Sequence, residues 1–208
     1  MRVAICVPCR DQVCAGFSFD LANMVGFHAA TGMNIGLYHS SGTLIVDQRV
    51  ILAKEAIAQG ATDILWIDSD MRFPKNALQR LLERNKTIVA ANYATRVLPA
   101  KTTAQNMTDD GWVRVPTRKG STGLEQVTAA GMGLMLTSAQ VFKDLADPWF
   151  HIGYSTKNAM FLGEDVSMCL HAAKVGHPTY IDHDISKEVR HIGSFEYVLE
   201  HAEINDGP

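Results

Sequence analysis

The chain has 208 residues, of which 47% are hydrophobic and 20% are charged, and its formal net charge is −3 at pH 7. This composition is globular and excludes a disordered or fibrous chain, while the charge excludes a strongly basic nucleic-acid coat protein. The length suits one domain, so we predict a single domain over residues 1–208.

The first residues predict a β-strand. A short apolar run over residues 3–9 gives way to the polar residues Arg10, Asp11 and Gln12, which is unlike a secretory signal peptide. No stretch reaches the ~18 apolar residues that a membrane span needs. We therefore expect no membrane span and a cytoplasmic protein (in the host cell cytoplasm if it is phage-encoded), with four cysteines as reduced thiols.

Strand and helix patterns then alternate along the chain, which favours an α/β sandwich with a mostly parallel central sheet. Apolar runs predict strands over residues 3–9, 33–39, 64–67, 87–92 and 179–181, and ordered structure is expected over 127–136. Apolar residues at helical spacing predict helices over residues 20–31 (with Asp20 as N-cap), 46–59, a short stretch after Pro74, 138–145 and 164–175. Residues 96–125 interrupt this rhythm and are predicted to be irregular, with 112–115 as half of a hairpin.

Two aspartates stand at the end of the third predicted strand, in the segment Asp68-Ser69-Asp70. Alternation along an extended chain places Asp68 and Asp70 on the same side, where open α/β sheets bind their ligands. Neighbouring carboxylates repel each other, and Mg²⁺ or Mn²⁺ with oxygen ligands would neutralise them while holding a diphosphate. The alternative is a polar turn, because Asp-x-Asp is a short and common pattern.

Six segments in chain order carry a resemblance to a known family. They are residues 3–8 (VAICVP), 47–49 (DQR), 67–71 (IDSDM), 129–136 (AAGMGLML), 163–166 (GEDV) and 189–193 (VRHIG). Together they resemble the small GT-A glycosyltransferases, nucleotide-sugar-dependent enzymes with an Asp-x-Asp motif, and especially short bacteriophage-encoded members. The resemblance implies a GT-A-like, Rossmann-type three-layer sandwich, with a donor-binding part over about residues 1–95 and an acceptor side over about 96–208.

The resemblance also assigns the donor site. It implies a nucleotide-sugar donor, with UDP-glucose as the first candidate, bound by Pro8, Arg10, Asp11, Arg49, Asp68, Ser69 and Asp70. Asp70 would bind Mn²⁺ or Mg²⁺ directly, Asp68 would face the ribose or a metal-bound water, and His191 would be a further metal ligand. From the residues alone, His191 is equally a surface or packing histidine.

Asp165 is the residue that the resemblance makes the general base, which takes a proton from the acceptor hydroxyl. It follows Glu164 at the start of a predicted helix, where the helix N-terminus lowers a carboxyl pKa and a neighbouring carboxylate raises it. Direct attack by the hydroxyl would invert the anomeric centre. The acceptor side would further include Trp112, Met132, Gly133 and Glu164.

A basic segment indicates which class of acceptor the chain would use. Residues 96–120 hold five Lys and Arg against two Asp, a local charge of +3, and would suit an anionic acceptor. A hydroxylated base of phage DNA, presented outside the base stack, is the leading acceptor because some members of the resembled group glycosylate such bases. A saccharide or glycoconjugate acceptor is the alternative, and an ordinary solvated loop is the alternative for the segment.

Two functions from other classes stay open. The chain could be a nucleotide-binding module that has the fold but no turnover. Cys6 and Cys9 could form a thiol oxidoreductase pair, although residues three apart in a strand point to opposite faces and the pair does not begin a helix.

Overall fold

Strands and helices alternate through the computed structural model, which describes residues 1–156, 159–193 and 196–199. The strands are β1 (Arg2–Cys9), β2 (Asn34–Ser41), β3 (Asp63–Ile67), β4 (Met71–Arg72), β5 (Ile88–Ala90), β6 (Gln105–Thr108), β7 (Gly111–Arg114), β8 (Leu124–Val127), β9 (Leu134–Ser138), β10 (Gly153–Ser155), β11 (Met160–Leu162), β12 (Thr179–Asp182), β13 (Arg190–Ile192) and β14 (Glu196–Tyr197). The helices are α1 (Ala15–Ala30), α2 (Ile45–Ala58), α3 (Ala77–Glu83), α4 (Ala139–Asp144), α5 (Glu164–Lys174) and α6 (His183–Ser186). Residues 200–208 of the predicted domain lie outside the described residues.

The central sheet has seven strands in the order β2-β1-β3-β9-β5-β12-β8. Strand β1 pairs in parallel with β2 and β3, and β5 pairs in parallel with β12. Strand β9 runs antiparallel between β3 and β5, and β8 runs antiparallel beside β12. Five of the seven strands therefore point the same way, which confirms the mostly parallel sheet predicted from the sequence.

Helices cover both faces of this sheet and make three layers. Along β1, the side chains of Ala4 and Cys6 face a core formed with α2, α4 and α5. The alternate side chains of Val3, Ile5 and Val7 face a second core formed with α1, α3 and α6. Both faces of β1 are thus removed from water, which explains why its sequence is a continuous apolar run.

One predicted helix boundary is wrong. Helix α1 begins at Ala15 with Cys14 as its N-cap, so Asp20 lies inside the helix and does not cap it. The Asp20 carboxylate instead accepts hydrogen bonds from Arg72 Nε at 2.6 Å and from the Phe73 amide. An aspartate can cap a helix or accept hydrogen bonds from a neighbouring segment, and only the tertiary contact with Arg72 shows which role Asp20 has.

The ordered segment predicted over residues 127–136 does not form one continuous element. It is divided into β8 and β9, which lie at different places in the sheet, and a connection over residues 128–133 joins them. The sequence pattern further misses β4, β6, β10, β11, β13, β14 and α6, because elements of two to four residues are too short to show periodicity.

Within the described residues, the longest helices are too short or too polar to cross a bilayer, and no candidate membrane span is found.

Candidate functional site

A cleft of about 420 Å³ opens at the edge of the sheet where the parallel strands end. It brings together most of the residues singled out from the sequence: Pro8, Arg10, Arg49, Asp68, Ser69, Asp70, Met132, Glu164, Asp165 and His191 all line it. Three predicted site residues, Asp11, Trp112 and Gly133, are not among the lining residues.

Strand pairing explains why residues far apart in the chain meet here. Asp68 and Asp70 follow the end of β3, and Pro8 and Arg10 lie at the end of β1, the neighbouring parallel strand. Strand β13 pairs with β4 so that His191 lies opposite Met71, which sets the imidazole beside Asp70. The sequence gives no strand signal for either of these short strands.

Arg49 is buried at the floor of the cleft, with only 3% of its surface exposed. Its Nη2 donates a hydrogen bond to Asp68 Oδ1 at 3.1 Å, and its Nη1 lies 2.8 Å from Glu164 Oε1. Burial acts to lower the pKa of Arg49, but the carboxylates of Asp68 and Glu164 outweigh burial and raise it. The guanidinium therefore joins Asp68, on the predicted donor side, to Glu164, on the predicted acceptor side, and the sequence does not reveal this role.

The two aspartates of the Asp-x-Asp motif have different environments. Burial raises the pKa of Asp68, and the adjacent charge of Arg49 only partly offsets this effect. Burial also acts to raise the pKa of Asp70, but contacts with His191 and Arg96 outweigh it and lower the pKa. Asp70 therefore stays ionised over a wide pH range, as a cation ligand must.

His191 is oriented by the backbone. Its Nδ1 lies 3.0 Å from the Ala94 carbonyl oxygen, so Nδ1 carries a proton and donates it. The other ring nitrogen, Nε2, lies 3.5 Å from Asp70 Oδ1 and is free to bind a cation beside that carboxylate when it carries no proton. An imidazole fixed by a backbone carbonyl in this way is a common arrangement of metal-binding histidine.

The side chains of Asp70 and His191 fit a divalent cation that takes two ligands from the protein. Among the described residues, no group of three or more His, Cys, Asp and Glu side chains is arranged to hold a metal ion. Mg²⁺ and related ions commonly take one or two protein ligands and complete their shell with water and phosphate oxygens. Asp70 and His191 suit such a site.

Asp165 begins α5 and lines the same cleft. Burial, followed by the adjacent Glu164 carboxylate, raises the pKa of Asp165 to about 6, although its Oδ1 accepts a hydrogen bond from the Val166 amide at 2.7 Å. The sequence predicts that the helix N-terminus lowers the pKa of Asp165 and that the neighbouring carboxylate raises it. In the structure, burial and that carboxylate outweigh the opposing effects, and the pKa of Asp165 is raised. A carboxylate with a pKa near 6 is a stronger base than an ordinary aspartate and is still ionised at neutral pH.

Of the three predicted residues outside the cleft, Trp112 and Gly133 have structural contacts. Asp11 is exposed in the loop after β1. Trp112 packs against the core beside α2, α4 and α5, with its indole nitrogen buried. The Gly133 amide donates to Tyr93 Oη at 2.9 Å, and its carbonyl accepts from the Asp68 amide at 3.1 Å.

Sequence reasoning missed several residues that line the cleft, among them Tyr93, Arg96 and Gln48. Tyr93 and Arg96 follow the end of β5, and their position after a predicted strand was a usable signal. Gln48 is 5% exposed, and its Oε1 is buried without a hydrogen-bond partner among the described residues. A buried carbonyl oxygen in a ligand cleft is placed to accept a hydrogen bond from a ligand.

The basic segment does not form one continuous surface. Arg96 lies in the cleft with its Nη1 2.6 Å from Asp70 Oδ2. Arg114 Nη1 donates to the carbonyl oxygens of Thr102 and Thr103, which ties the β6–β7 hairpin to the preceding loop. Arg118 and Lys119 are exposed at the turn that follows the hairpin.

The cysteines have environments that disfavour a redox pair. Cys6 is fully buried in β1, and burial raises the pKa of its thiol. Its Sγ donates to the Leu52 carbonyl oxygen, whereas the Cys9 Sγ donates to the Ser40 carbonyl oxygen. All four cysteines are free thiols, and a buried thiol with a raised pKa is a poor nucleophile.

Comparison with known proteins gives likeness in structure and none in sequence: no protein-family model and no curated protein matches the chain. The chain is similar to A197 from STIV, with 14% identity and a TM-score of 0.59 over 93% of this chain and 86% of that one. It is similar to S. aureus TarS 1–349, with 12% identity and a TM-score of 0.50 over 88% of this chain and 58% of that one. A weaker similarity, with 12% identity and a TM-score of 0.37 over 72% of this chain and 69% of that one, is to a glycosyltransferase involved in the glycosylation of the major capsid of PBCV-1.

The likenesses to A197 and to TarS establish the fold. The chain spans less than two thirds of the TarS fragment and most of A197. Together with the sheet order and the two helix layers, they confirm the predicted class, a GT-A-like three-layer α/β sandwich.

Proposed function

We propose that this chain is a metal-dependent glycosyltransferase that moves a sugar from a nucleotide-sugar donor to an acceptor hydroxyl. The observation that carries the proposal is one cleft in which Asp70 and His191 lie 3.5 Å apart and Asp165 lines the same space. The fold class is the one that the sequence resemblance implies for such enzymes.

Donor binding uses the end of the cleft at β1, β3 and α2. Asp70 and His191 would hold Mn²⁺ or Mg²⁺, which when bound would stabilise the negative charge that develops on the leaving diphosphate. Pro8 and Arg10 receive the nucleoside, and Gln48 Oε1 accepts a hydrogen bond from an N–H of the base. A UDP-linked sugar, with glucose first, is the donor to try.

Catalysis depends on Asp165. Its carboxylate accepts the proton of the acceptor hydroxyl as that oxygen bonds to the anomeric carbon and the bond from this carbon to the diphosphate breaks. The nucleoside diphosphate leaves with the bonding electrons, and the anomeric centre is inverted. The raised pKa of Asp165 strengthens the base, and Arg49 positions the neighbouring Glu164 through its 2.8 Å contact.

A hydroxylated base of DNA is the leading acceptor, and a saccharide is the alternative. The exposed Arg118 and Lys119 give this proposal a specific test. Alanine at both positions should weaken DNA binding and lower its salt dependence, since each removes one phosphate-binding cation. Arg114 is unsuitable for the test because its loss would also release the hairpin. If an oligosaccharide is glycosylated and hydroxylated DNA is not at any salt concentration, the saccharide acceptor replaces DNA.

The decisive experiment measures nucleoside diphosphate release from a panel of nucleotide sugars, with and without Mn²⁺, alongside thermal shifts for donor binding. The wild-type chain should release product from one donor in the presence of the cation. Asp165→Asn should bind that donor without releasing product, and the exposed Asp144→Asn serves as the matched carboxylate control. Donor binding with equal, negligible release by wild type and Asp165→Asn would instead indicate a non-catalytic binding module, and failure of every donor to bind would refute the proposal.

A further inference from the structure

Arg96 already pairs with the carboxylate that the proposed cation would use. Arg96 Nη1 lies 2.6 Å from Asp70 Oδ2, and His191 Nε2 lies 3.5 Å from Oδ1 of that aspartate. A divalent cation held by Asp70 and His191 meets the full positive charge of the guanidinium at close range, which is unfavourable. Either the cation stays away or the guanidinium leaves.

The position of Arg96 allows it to leave. Its side chain is 52% exposed, and it lies in a loop whose next two residues, Val97 and Leu98, are 57% and 65% exposed. The base of the loop is held by the Thr95 amide, which donates to the Lys101 carbonyl oxygen at 2.8 Å, and by the Lys101 amide, which donates to Thr95 Oγ1. Rotation of the Arg96 side chain therefore breaks one exposed ion pair and leaves the loop base and the core unchanged.

The same cleft offers the displaced guanidinium a new partner. Arg49 is buried and already occupied by Asp68 and Glu164, so it has little freedom to follow a ligand. Arg96 can follow one, and its planar fork matches the oxygens of a phosphate. We propose that Arg96 is an exchangeable counter-ion, which pairs with Asp70 in the free protein and moves to the donor diphosphate when a cation occupies Asp70. This inference rests on the proposed function, since it needs a cation and a diphosphate in the cleft.

Calorimetric titrations of Arg96→Ala test the exchange through two affinities that should move in opposite directions. Mn²⁺ alone should bind about two- to fivefold more tightly than to wild type, because an exposed ion pair no longer competes. UDP in the presence of saturating Mn²⁺ should bind at least about tenfold more weakly, because a charge-assisted hydrogen bond to the diphosphate is lost. Arg96→Lys keeps the positive charge but lacks the planar guanidinium that matches two phosphate oxygens. It should leave Mn²⁺ affinity near wild type while weakening UDP binding. Lys143→Met, which removes one exposed charge on α4, is the control.

Nuclear magnetic resonance of the Arg96 Nε–Hε group separates exchange from simple charge repulsion. The signal should shift in Asp70→Asn without metal, and shift to a different position when Mg²⁺ and UDP are added to the wild type. The inference would be overturned if Arg96→Ala left the affinities for Mn²⁺ and for UDP both unchanged, weakened both or tightened both. Failure of the wild type to bind any nucleoside diphosphate of the donor panel with either cation would refute the proposed function itself, whereas normal nucleoside diphosphate binding with an unmoved Arg96 signal would refute only the exchange.

Discussion

Arg49 on α2 and Glu164 on α5 meet through a 2.8 Å contact between Nη1 and Oε1. This contact joins the predicted donor-binding part to the predicted acceptor side, and the same guanidinium donates to Asp68. A single buried cation thus holds carboxylates from both halves of the cleft. Its loss would leave Glu164 and Asp68 without their neutralising partner.

Arg49→Ala should lower the free energy of unfolding by about 3 kcal/mol, because removing one partner strands buried charges. Urea denaturation followed by circular dichroism measures this loss. The matched control is Arg80→Ala, which breaks an exposed ion pair with Glu188 and should cost at most about 1 kcal/mol. Equal losses in the two variants would show that Arg49 is not the central cation of the cleft.

The rate of sugar transfer should rise with pH and level off above about 6. Asp165 must be ionised to accept a proton, and its pKa is raised to about 6. Initial rates at saturating donor and Mn²⁺, measured from pH 4.5 to 8, give this profile, with thermal melts at each pH to verify folding. A rate that is constant through pH 6 would contradict the role of Asp165 as base.

Asp165→Asn should stabilise the protein at neutral pH while removing activity. The unfolded chain releases the Asp165 proton near pH 4 and the folded chain releases it near 6, so unfolding becomes easier as pH rises between these values. Two pKa units correspond to roughly 2–3 kcal/mol, and the full penalty is present above about pH 6. The variant should therefore exceed wild type in stability at pH 7.5 and approach it at pH 4.5. An equal difference at both pH values would rule out the ionisation of Asp165 as its cause.

Two glycine-to-alanine changes should have opposite effects on stability. A Cβ on Gly133 would lie 2.6 Å from the Tyr93 ring and 3.0 Å from Met71 Sδ, so Gly133→Ala should cost about 1–3 kcal/mol. Gly26 lies in the exposed interior of α1 with nothing within 4 Å of such a Cβ, and Gly26→Ala should add about 0.5–1 kcal/mol. Chemical denaturation of both variants provides the comparison, and a neutral Gly133→Ala would show that Tyr93 moves aside freely.

The parts of the fold that could be predicted are those with long, regular patterns. The apolar runs of β1 and β3 and the spaced apolar residues of α2 and α5 each extend over a whole element, so their type and approximate bounds follow from the sequence. The position of Asp20 could not be predicted, because its partner Arg72 is distant in sequence and either role is chemically reasonable.

In the candidate site, too, the residues that could be predicted are those next to a long, regular pattern. Asp68 and Asp70 could be found because they follow a strong strand pattern. The placement of His191 beside Asp70 depends on β4 and β13, which are too short to predict, so only the resemblance to a family suggested it. The contacts of Arg49 and Arg96 arise from tertiary packing, and no local pattern distinguishes them from solvated cations.

The place of β9 in the sheet constrains how the chain can be assembled. Strands β3 and β5 are both synthesised before β9. They do not pair with each other, because β9 lies between them in the sheet. A nascent chain that stops after residue 95 would therefore leave one edge of β3 and both edges of β5 unpaired, the feature that promotes aggregation. Residues 1–95 should consequently be insoluble when expressed alone, and residues 96–208 should restore their solubility when co-expressed as a separate fragment.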